Sequence, residues 1–185
     1  MSATETKKKE AGMAQLVLVL FAISAITALL LGLVNSITAD AIAANQKAKI
    51  EKAMNEVLPA SAYTEVTASY TGGDTTVDAI YQAEGEGYVV QVSPAGSFSG
   101  TLTVMVGVTS DGACSGISIV KTSETSGLGA NASKDYFREQ FQGLTGTAAV
   151  TKDNGTIEAL TGATITSRAV CSAVNSAVAA AASMG

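Results

Sequence analysis

Residues 13–34 read MAQLVLVLFAISAITALLLGLV, an apolar run with no charged side chain and a single amide, Gln15, near its start. About 20 apolar residues span the hydrocarbon core of a bilayer, so this run predicts a transmembrane helix. A cleaved secretory signal is the alternative, because residues 37–41 (ITADA) could form a cleavage region. The apolar part of a signal is only about 7 to 15 residues long, so we expect an uncleaved membrane anchor.

Basic residues near the two ends of this run indicate its orientation. Lys7, Lys8 and Lys9 precede it closely, whereas Lys47 and Lys49 are the first basic residues after it. Lys and Arg close to a membrane span favour the cytoplasmic side. The sequence therefore predicts a single-pass protein of the cell membrane, with residues 1–12 in the cytoplasm and everything after residue 34 outside it.

The composition of the chain excludes several functions. The part beyond Val34 carries 14 acidic and 8 basic residues, an acidic balance unsuited to binding a nucleic-acid backbone. The whole chain has no His and only two Cys. Tetrahedral zinc sites, His-ligated haem, four-thiolate iron–sulfur clusters and Ser-His-Asp triads all need residues that are missing here. We therefore expect no metal site of these kinds and no catalytic imidazole or triad.

The two cysteines allow two interpretations. Cys114 and Cys171 could pair, because disulfides form in extracytoplasmic domains. Cys171, however, shares one helical face with Val170, Val174 and Val178, which favours a buried free thiol.

The chain beyond the apolar run is predicted to form an α+β domain on a helical stalk. The stalk covers residues 35–58 and stops before Pro59, because the residue ahead of a proline disfavours helix. Residues 59–80 are predicted to form loops with one or two short strands. Three β-branched strands and a hairpin turn at 109–113 follow, which predicts a mainly antiparallel sheet. The predicted elements are strands 88–92, 101–108 and 117–121, a short amphipathic helix 134–142, a second hairpin 148–157 with its turn at 153–155, and a last helix from about 166 to 183.

A threonine-rich segment precedes the last helix. Residues 158–167 read EALTGATITS and provide four hydroxyls close to a helix N-terminus: Thr161, Thr164, Thr166 and Ser167. Helix N-termini favour phosphate groups, because their N–H groups are unpaired and carry the positive end of the helix dipole. Helix capping alone is the alternative, because Ser and Thr are ordinary N-cap residues.

Two motifs resemble those of the FMN-binding domain family. Thr161-Gly-Ala-Thr164 is similar to the family's flavinylation motif, in which the last threonine is esterified to the phosphate of FMN. Glu124-Thr-Ser-Gly-Leu-Gly129 resembles the family's Glu-Thr-Pro-Gly-Leu-Gly loop, with Ser126 in place of proline. Phe137 and residues 141–143 (FQG) match the short helix that follows this loop in the family.

The order of the parts resembles the G-subunit family of Rnf electron-transport complexes along essentially the whole chain. This resemblance implies an FMN-binding domain over residues 59–185, held outside the cell membrane by the span at 13–34. It also implies a covalent-FMN electron carrier in an ion-translocating ferredoxin:NAD⁺ oxidoreductase that moves Na⁺ or H⁺. The partners would be the other membrane and peripheral subunits of that complex, and a flavin transferase for maturation. The chain would have no substrate site of its own.

The resemblance also implies roles for individual residues. Thr164 would carry FMN, with Thr161 and Thr166 donating hydrogen bonds to its phosphate, while Gly162 and Ala163 keep the turn small. Gly127 and Gly129 would let the isoalloxazine ring approach, Leu128 would offer an apolar contact, and Glu124 and Thr125 polar ones. A tight turn between a strand and a helix would explain the 124–129 loop equally well. Two positions differ from the family: Glu158 replaces its usual Asp, and Phe98 is the aromatic candidate in a diverged glycine segment, 96–100.

Two further functions remain open from the sequence. The chain could be a stand-alone, membrane-anchored extracytoplasmic flavodomain that serves another electron-transfer route. It could also be a non-redox, membrane-anchored assembly module in which the threonine-rich segment merely caps a helix.

Overall fold

A long helix, α1, opens the computed structural model, which describes residues 12–184. It runs from Met13 to Val57 and so includes both the apolar run and the mixed-charge segment after it. The helix ends just before Leu58 and Pro59, as the proline predicted. The lysines at positions 7 to 9, used to predict orientation, lie outside the described residues.

The chain divides into two units, residues up to Lys47 and residues 48 onward. The described part of the first unit is helical, and its large apolar side chains, such as Leu18, Phe21 and Leu31, are exposed. Within residues 12–184, α1 is the one helix that is long and apolar enough to cross a membrane. An exposed apolar surface of this kind is the one that lipid covers in a spanning helix.

The second unit is built on a five-stranded antiparallel sheet. Its strands lie in chain order, β1-β2-β3-β4-β5, so each strand pairs with its sequence neighbours. The sheet confirms the predicted antiparallel arrangement, including the hairpin between the last two strands. The strands are β1 Tyr63–Glu65, β2 Val77–Ala83, β3 Gly87–Val92, β4 Leu102–Thr109 and β5 Cys114–Thr122.

The two faces of the sheet bury different elements, because side chains alternate between the faces along each strand. One face packs against the end of α1, where Ala53, Met54 and Val57 meet Val89 and Met105. The other face packs against the last helix, α3, which runs from Thr164 to Met184. The core on that second side includes Val90, Val104 and Val106 from the sheet and Val170, Ala173, Val174 and Ala177 from α3.

The segment between β5 and α3 differs from its prediction. The expected helix 134–142 is a short helix, α2, at Asp135–Arg138, followed by a 3₁₀ turn at Glu139–Phe141. Its two phenylalanines, Phe137 and Phe141, are fully buried and meet edge to face at 5.5 Å. Tyr136, the residue before Phe137, is exposed.

The predicted hairpin at 148–157 is wrong. Residues Thr151–Asp153 form a 3₁₀ turn, and Val150 makes only an isolated parallel bridge to Ile157. The turn residue was correctly located, because Asn154 adopts a left-handed conformation with φ 62°. Val150 and Ile157 both enter the core rather than extending as two antiparallel strands.

Both cysteines are buried free thiols. Cys171 lies on the face of α3 that packs against the sheet, as its spacing predicted, and Cys114 begins β5. Burial raises the pKa of each thiol to about 11.

Candidate functional site

The start of α3 is fixed by hydrogen bonds from a buried serine. The Ser167 hydroxyl accepts a hydrogen bond from the Leu160 N–H at 2.9 Å and donates one to the Ala163 carbonyl at 3.0 Å. Gly162 has φ +74°, a conformation that glycine adopts without steric cost. The helix therefore begins at Thr164, two residues earlier than its sequence predicted.

Thr164 combines a partly exposed hydroxyl with the N-terminus of a 21-residue helix. Within residues 12–184, the N–H groups of Thr164, Ile165 and Thr166 have no hydrogen-bond acceptor. Such groups, with the helix dipole, attract an anion to this position.

A cleft of about 410 Å³ opens beside Thr164. This volume lies within the range of ordinary small-molecule sites, roughly 300–1,000 Å³. Three apolar side chains on its lining, Phe98, Leu128 and Ile165, are 68%, 43% and 50% exposed. The full lining is Phe98, Glu124, Thr125, Leu128, Gly129, Lys152, Gly162, Ala163, Thr164, Ile165 and Thr166.

A more polar groove of about 370 Å³ lies on the other side of Thr164. It shares Lys152, Gly162 and Thr164 with the cleft, so the Thr164 hydroxyl stands where the two meet. The Lys152 ammonium lies 3.5 Å from the Thr164 Oγ1. The remaining groove residues are Thr151, Glu158, Ala159, Leu160 and Thr161.

An ion pair fixes the turn that carries Lys152. Asp153, the next residue, accepts two hydrogen bonds of 2.7 Å from the guanidinium of Arg168 in α3. Hydrogen bonding to Arg168 lowers the pKa of Asp153, so the carboxylate stays ionised. The pair joins the lysine turn to the second turn of the helix that begins at Thr164.

The buried carboxylate of Glu124 also lines the cleft. Its Oε1 accepts hydrogen bonds from the N–H and the hydroxyl of Ser99, both at 3.1 Å. Its Oε2 accepts one from the Thr166 hydroxyl at 2.8 Å. Glu124 is 8% exposed and Thr166 is 1% exposed, so their hydrogen bond is shielded from solvent.

Comparison with known proteins reveals the family of this chain. Residues 97–179 match the FMN-binding domain, and residues 9–57 match the RnfG N-terminal region. The chain is 36% identical to the G-type subunit of the Na⁺-translocating ferredoxin:NAD⁺ oxidoreductase complex of Acetobacterium woodii, over 85% of this chain and 86% of the relative.

The chain belongs to the RnfG family. It is also 34% identical to the G-type subunit of an ion-translocating oxidoreductase complex of Methanosarcina acetivorans, over 89% of this chain and 92% of the relative. The corresponding subunit of the proton-translocating ferredoxin:NAD⁺ oxidoreductase complex of Clostridium ljungdahlii is 44% identical over 57% of this chain and 54% of that relative. With this membership, the apolar part of α1 fits a single-pass membrane protein.

The structure places most of the predicted site residues of this RnfG-family chain together. Thr161 lies in the groove rather than the cleft, and Gly127 lines neither of them. Gly127 instead has φ +76° in the tight turn closed by the Leu128 N–H to Thr125 carbonyl hydrogen bond. The predicted residues that line the cleft are Glu124, Thr125, Leu128, Gly129, Gly162, Ala163, Thr164 and Thr166.

Three residues at the site were missed from the sequence: Lys152, Ser99, and Ile165, which lines the cleft. Lys152 lay in the expected hairpin, where no pattern indicated that its side chain would reach Thr164. Ser99 follows the aromatic candidate Phe98, but its hydrogen bonds to a carboxylate 25 residues away leave no local signal.

Proposed function

We propose that this chain carries FMN, esterified to Thr164, as an electron-carrier subunit of a membrane-bound, ion-translocating ferredoxin:NAD⁺ oxidoreductase complex. The FMN-binding domain match and the names of the relatives support the cofactor and the complex. One observation supports the attachment point best. The Thr164 hydroxyl stands at the start of α3, between the cleft with exposed apolar side chains and the groove that contains a lysine.

The residues around Thr164 fit the two ends of FMN. The unpaired N–H groups of the first helical turn and the Lys152 ammonium suit a phosphate ester, because both attract negative charge. Phe98, Leu128 and Ile165 offer apolar surface suited to an aromatic ring system. A Cβ on Gly162 would lie 3.0 Å from the Leu128 Cδ2. It would narrow the space between the phosphate region at Thr164 and the apolar surface at Leu128.

FMN, when bound, supplies one- and two-electron transfer, and the chain supplies binding and orientation. The ester would join the Thr164 Oγ1 to the phosphorus of FMN: with the flavin transferase, the threonine oxygen would displace AMP from a flavin adenine dinucleotide donor and release its proton. Relative to threonine and free FMN, one water is lost. A covalent bond retains the cofactor on the outer face of the membrane, where dissociated FMN would be lost.

We place the chain in the membrane by its parts. Residues 1–12 lie in the cytoplasm, 13–34 span the bilayer, 35–58 continue as helix and 59–185 form the FMN-binding domain outside, with residues 48–58 packed onto it. The relatives are named as single subunits of a complex, which supports other subunits as partners. A flavin transferase is the second proposed partner, because it would form the ester.

Covalent flavin tests the attachment point directly. The full-length chain, produced with a flavin transferase, is expected to give a fluorescent band under ultraviolet light after denaturing electrophoresis, and a mass increase equal to FMN minus water. Thr164→Val abolishes both signals, whereas Thr147→Val, which removes an exposed hydroxyl outside the site, retains them. A wild-type chain without flavin, or a fluorescent Thr164→Val band, rejects the attachment.

Membership in a complex needs a separate measurement. The tagged chain, extracted from its native membrane in a mild detergent, is expected to purify with other integral membrane subunits and with ferredoxin:NAD⁺ oxidoreductase activity. A flavinylated chain that purifies alone would indicate a stand-alone flavodomain instead.

A further inference from the structure

We propose that Glu124 is a positioning residue of the FMN site, which holds the Gly96–Gly100 loop against the first turn of α3 instead of contacting the cofactor. This inference rests on the proposed function, because it concerns the same site. It also assigns Thr166 and Gly129 to the contact between Glu124 and α3. The family resemblance had instead implied that these two residues adjoin FMN.

The hydrogen bonds of Glu124 join two segments that are far apart in sequence. Ser99, which donates to Oε1, follows Phe98 on the cleft wall. Thr166, which donates to Oε2, is two residues after Thr164. Within residues 12–184, no other side-chain hydrogen bond connects the Gly96–Gly100 loop with α3. Among the described side-chain hydrogen bonds, those of this carboxylate are therefore the ones that link the loop of Phe98 to the first turn of α3.

Among the described residues, no cation forms an ion pair with Glu124. The three ion pairs among the described residues join Glu56 and Asp135 to Arg138, and Asp153 to Arg168, so none includes Glu124. A buried carboxylate is costly unless hydrogen bonds compensate the lost hydration. The donors from Ser99 and Thr166 provide that compensation, and movement of either segment away from Glu124 would remove it.

Gly129 provides the space for this contact. A Cβ at this position would lie 2.6 Å from both the Glu124 Oε2 and the Thr166 Oγ1. The Glu124 Cβ, at 2.9 Å, would also be too close, so a shift of the carboxylate oxygen alone would not relieve the clash. The glycine thus accommodates the hydrogen bond between Glu124 and Thr166, and a methyl group there would separate the two.

The rate of FMN incorporation tests the proposal. Purified full-length apoprotein in detergent is incubated with flavin transferase and flavin adenine dinucleotide as the FMN donor. The temperature is one at which circular dichroism shows every variant to be folded, and covalent flavin is followed by in-gel fluorescence. Glu124→Ala, Thr166→Val and Gly129→Ala are each expected to slow incorporation at least about tenfold, because a misplacement of about 1 Å can cost up to about a hundredfold in rate. Glu124→Gln is expected to stay within about twofold of wild type, because its amide can bond both neighbours. Thr147→Val is the control for loss of a threonine hydroxyl.

The combined effect of Glu124→Ala and Thr166→Val on the incorporation rate tests whether the two residues act through one contact. If Glu124 acts through Thr166, the Glu124→Ala/Thr166→Val double variant is no slower than Glu124→Ala alone. The proposal is overturned if Glu124→Ala incorporates FMN like wild type, if Glu124→Gln is as slow as Glu124→Ala, or if the two effects multiply. A wild-type chain that acquires no flavin would instead reject the proposed function, and this inference with it.

Discussion

Thr164 and Lys152 together form the polar side of the proposed attachment point. The ammonium, 3.5 Å from the hydroxyl, is exposed, so its attraction for a phosphate is screened by water and salt. Its contribution should therefore be modest in size but easy to recognise from its dependence on ionic strength.

Lys152→Met is expected to slow FMN incorporation by up to about fivefold, because exposed ion pairs contribute on the order of 0.2–1 kcal/mol. The rate should also become less sensitive to salt. Incorporation is measured by in-gel fluorescence at low and high ionic strength, with Lys134→Met, an exposed lysine outside the site, as the control. An unchanged rate with an unchanged salt dependence would remove Lys152 from the site.

Cys114 predicts a loss of stability at alkaline pH. Burial raises the pKa of its thiol from 9.0 to about 11, so the thiolate forms first in the unfolded chain. The contribution of the protonated thiol to the free energy of unfolding is complete below pH 9. It falls by about 2 kcal/mol as the pH rises from 9 to 11. Urea unfolding measures the free energy of unfolding at pH 8 and at pH 11. The loss between the two pH values should be smaller for Cys114→Ala than for wild type. Equal differences would contradict the buried thiol's role.

At the scale of elements, the end of α1 is held against the sheet by close contacts. The Ser115 hydroxyl donates to the Val57 carbonyl at 2.5 Å, and the Ser118 hydroxyl donates to Glu56 at 2.8 Å. Burial raises the pKa of Glu56, but hydrogen bonds from Arg138 and Ser118 outweigh it and leave the pKa lowered. These contacts keep the last turn of the helix on β5.

Gly107 permits this approach, and Gly107→Ala should disrupt it. A Cβ there would lie 2.6 Å from the Val57 carbonyl oxygen and would also collide with the Ser115 hydroxyl. We expect a loss of about 1–3 kcal/mol, the usual cost of overpacking. Thermal unfolding of the full-length chain measures the loss, and Gly73→Ala, where a Cβ meets open space, is the control. Equal stabilities for the two variants would show that the helix end can shift without cost.

The sequence predicted the elements well where one local pattern decided them. β-branched runs located the central strands, and the spacing of Val170 and Val174 identified the buried face of α3. The prediction of a hairpin at 148–157 was wrong although its turn was located correctly. The flanking residues Val150 and Ile157 are buried in the core that includes α3, instead of pairing as two antiparallel strands. Glu124 and Thr166 were both selected, yet their pairing was missed because 42 residues separate them.

At the scale of the whole chain, the compact second unit begins within α1, at residue 48. Ala53, Met54 and Val57 are at most 5% exposed and cover Val89 and Met105 on the sheet. The apolar run at the start of the chain and the sheet were both foreseen from hydrophobic patterns. The sequence could not reveal that the last turns of the mixed-charge helix belong to the core, because charged residues alternate with the apolar ones there.

A fragment of residues 48–185 is expected to fold as a soluble monomer, whereas residues 59–185 should aggregate. The shorter fragment exposes the side chains that α1 covers, and each large apolar side chain left uncovered costs about 1.5–3 kcal/mol. Size-exclusion chromatography and circular dichroism distinguish the two outcomes. A monomeric 59–185 fragment with the same unfolding midpoint would show that the helix end is dispensable.

The order of the strands has a consequence for maturation. Because all five strands pair with their neighbours in the chain, most contacts of the sheet are local and can form early, even while the polypeptide is being synthesised. The core on the second face, however, closes only when α3 packs onto β3 and β4, and α3 follows every strand in the chain. Thr164 begins that helix. If FMN is attached to Thr164 as proposed, we expect loading only after translation has passed the entire sheet, so an unfinished chain would acquire no FMN.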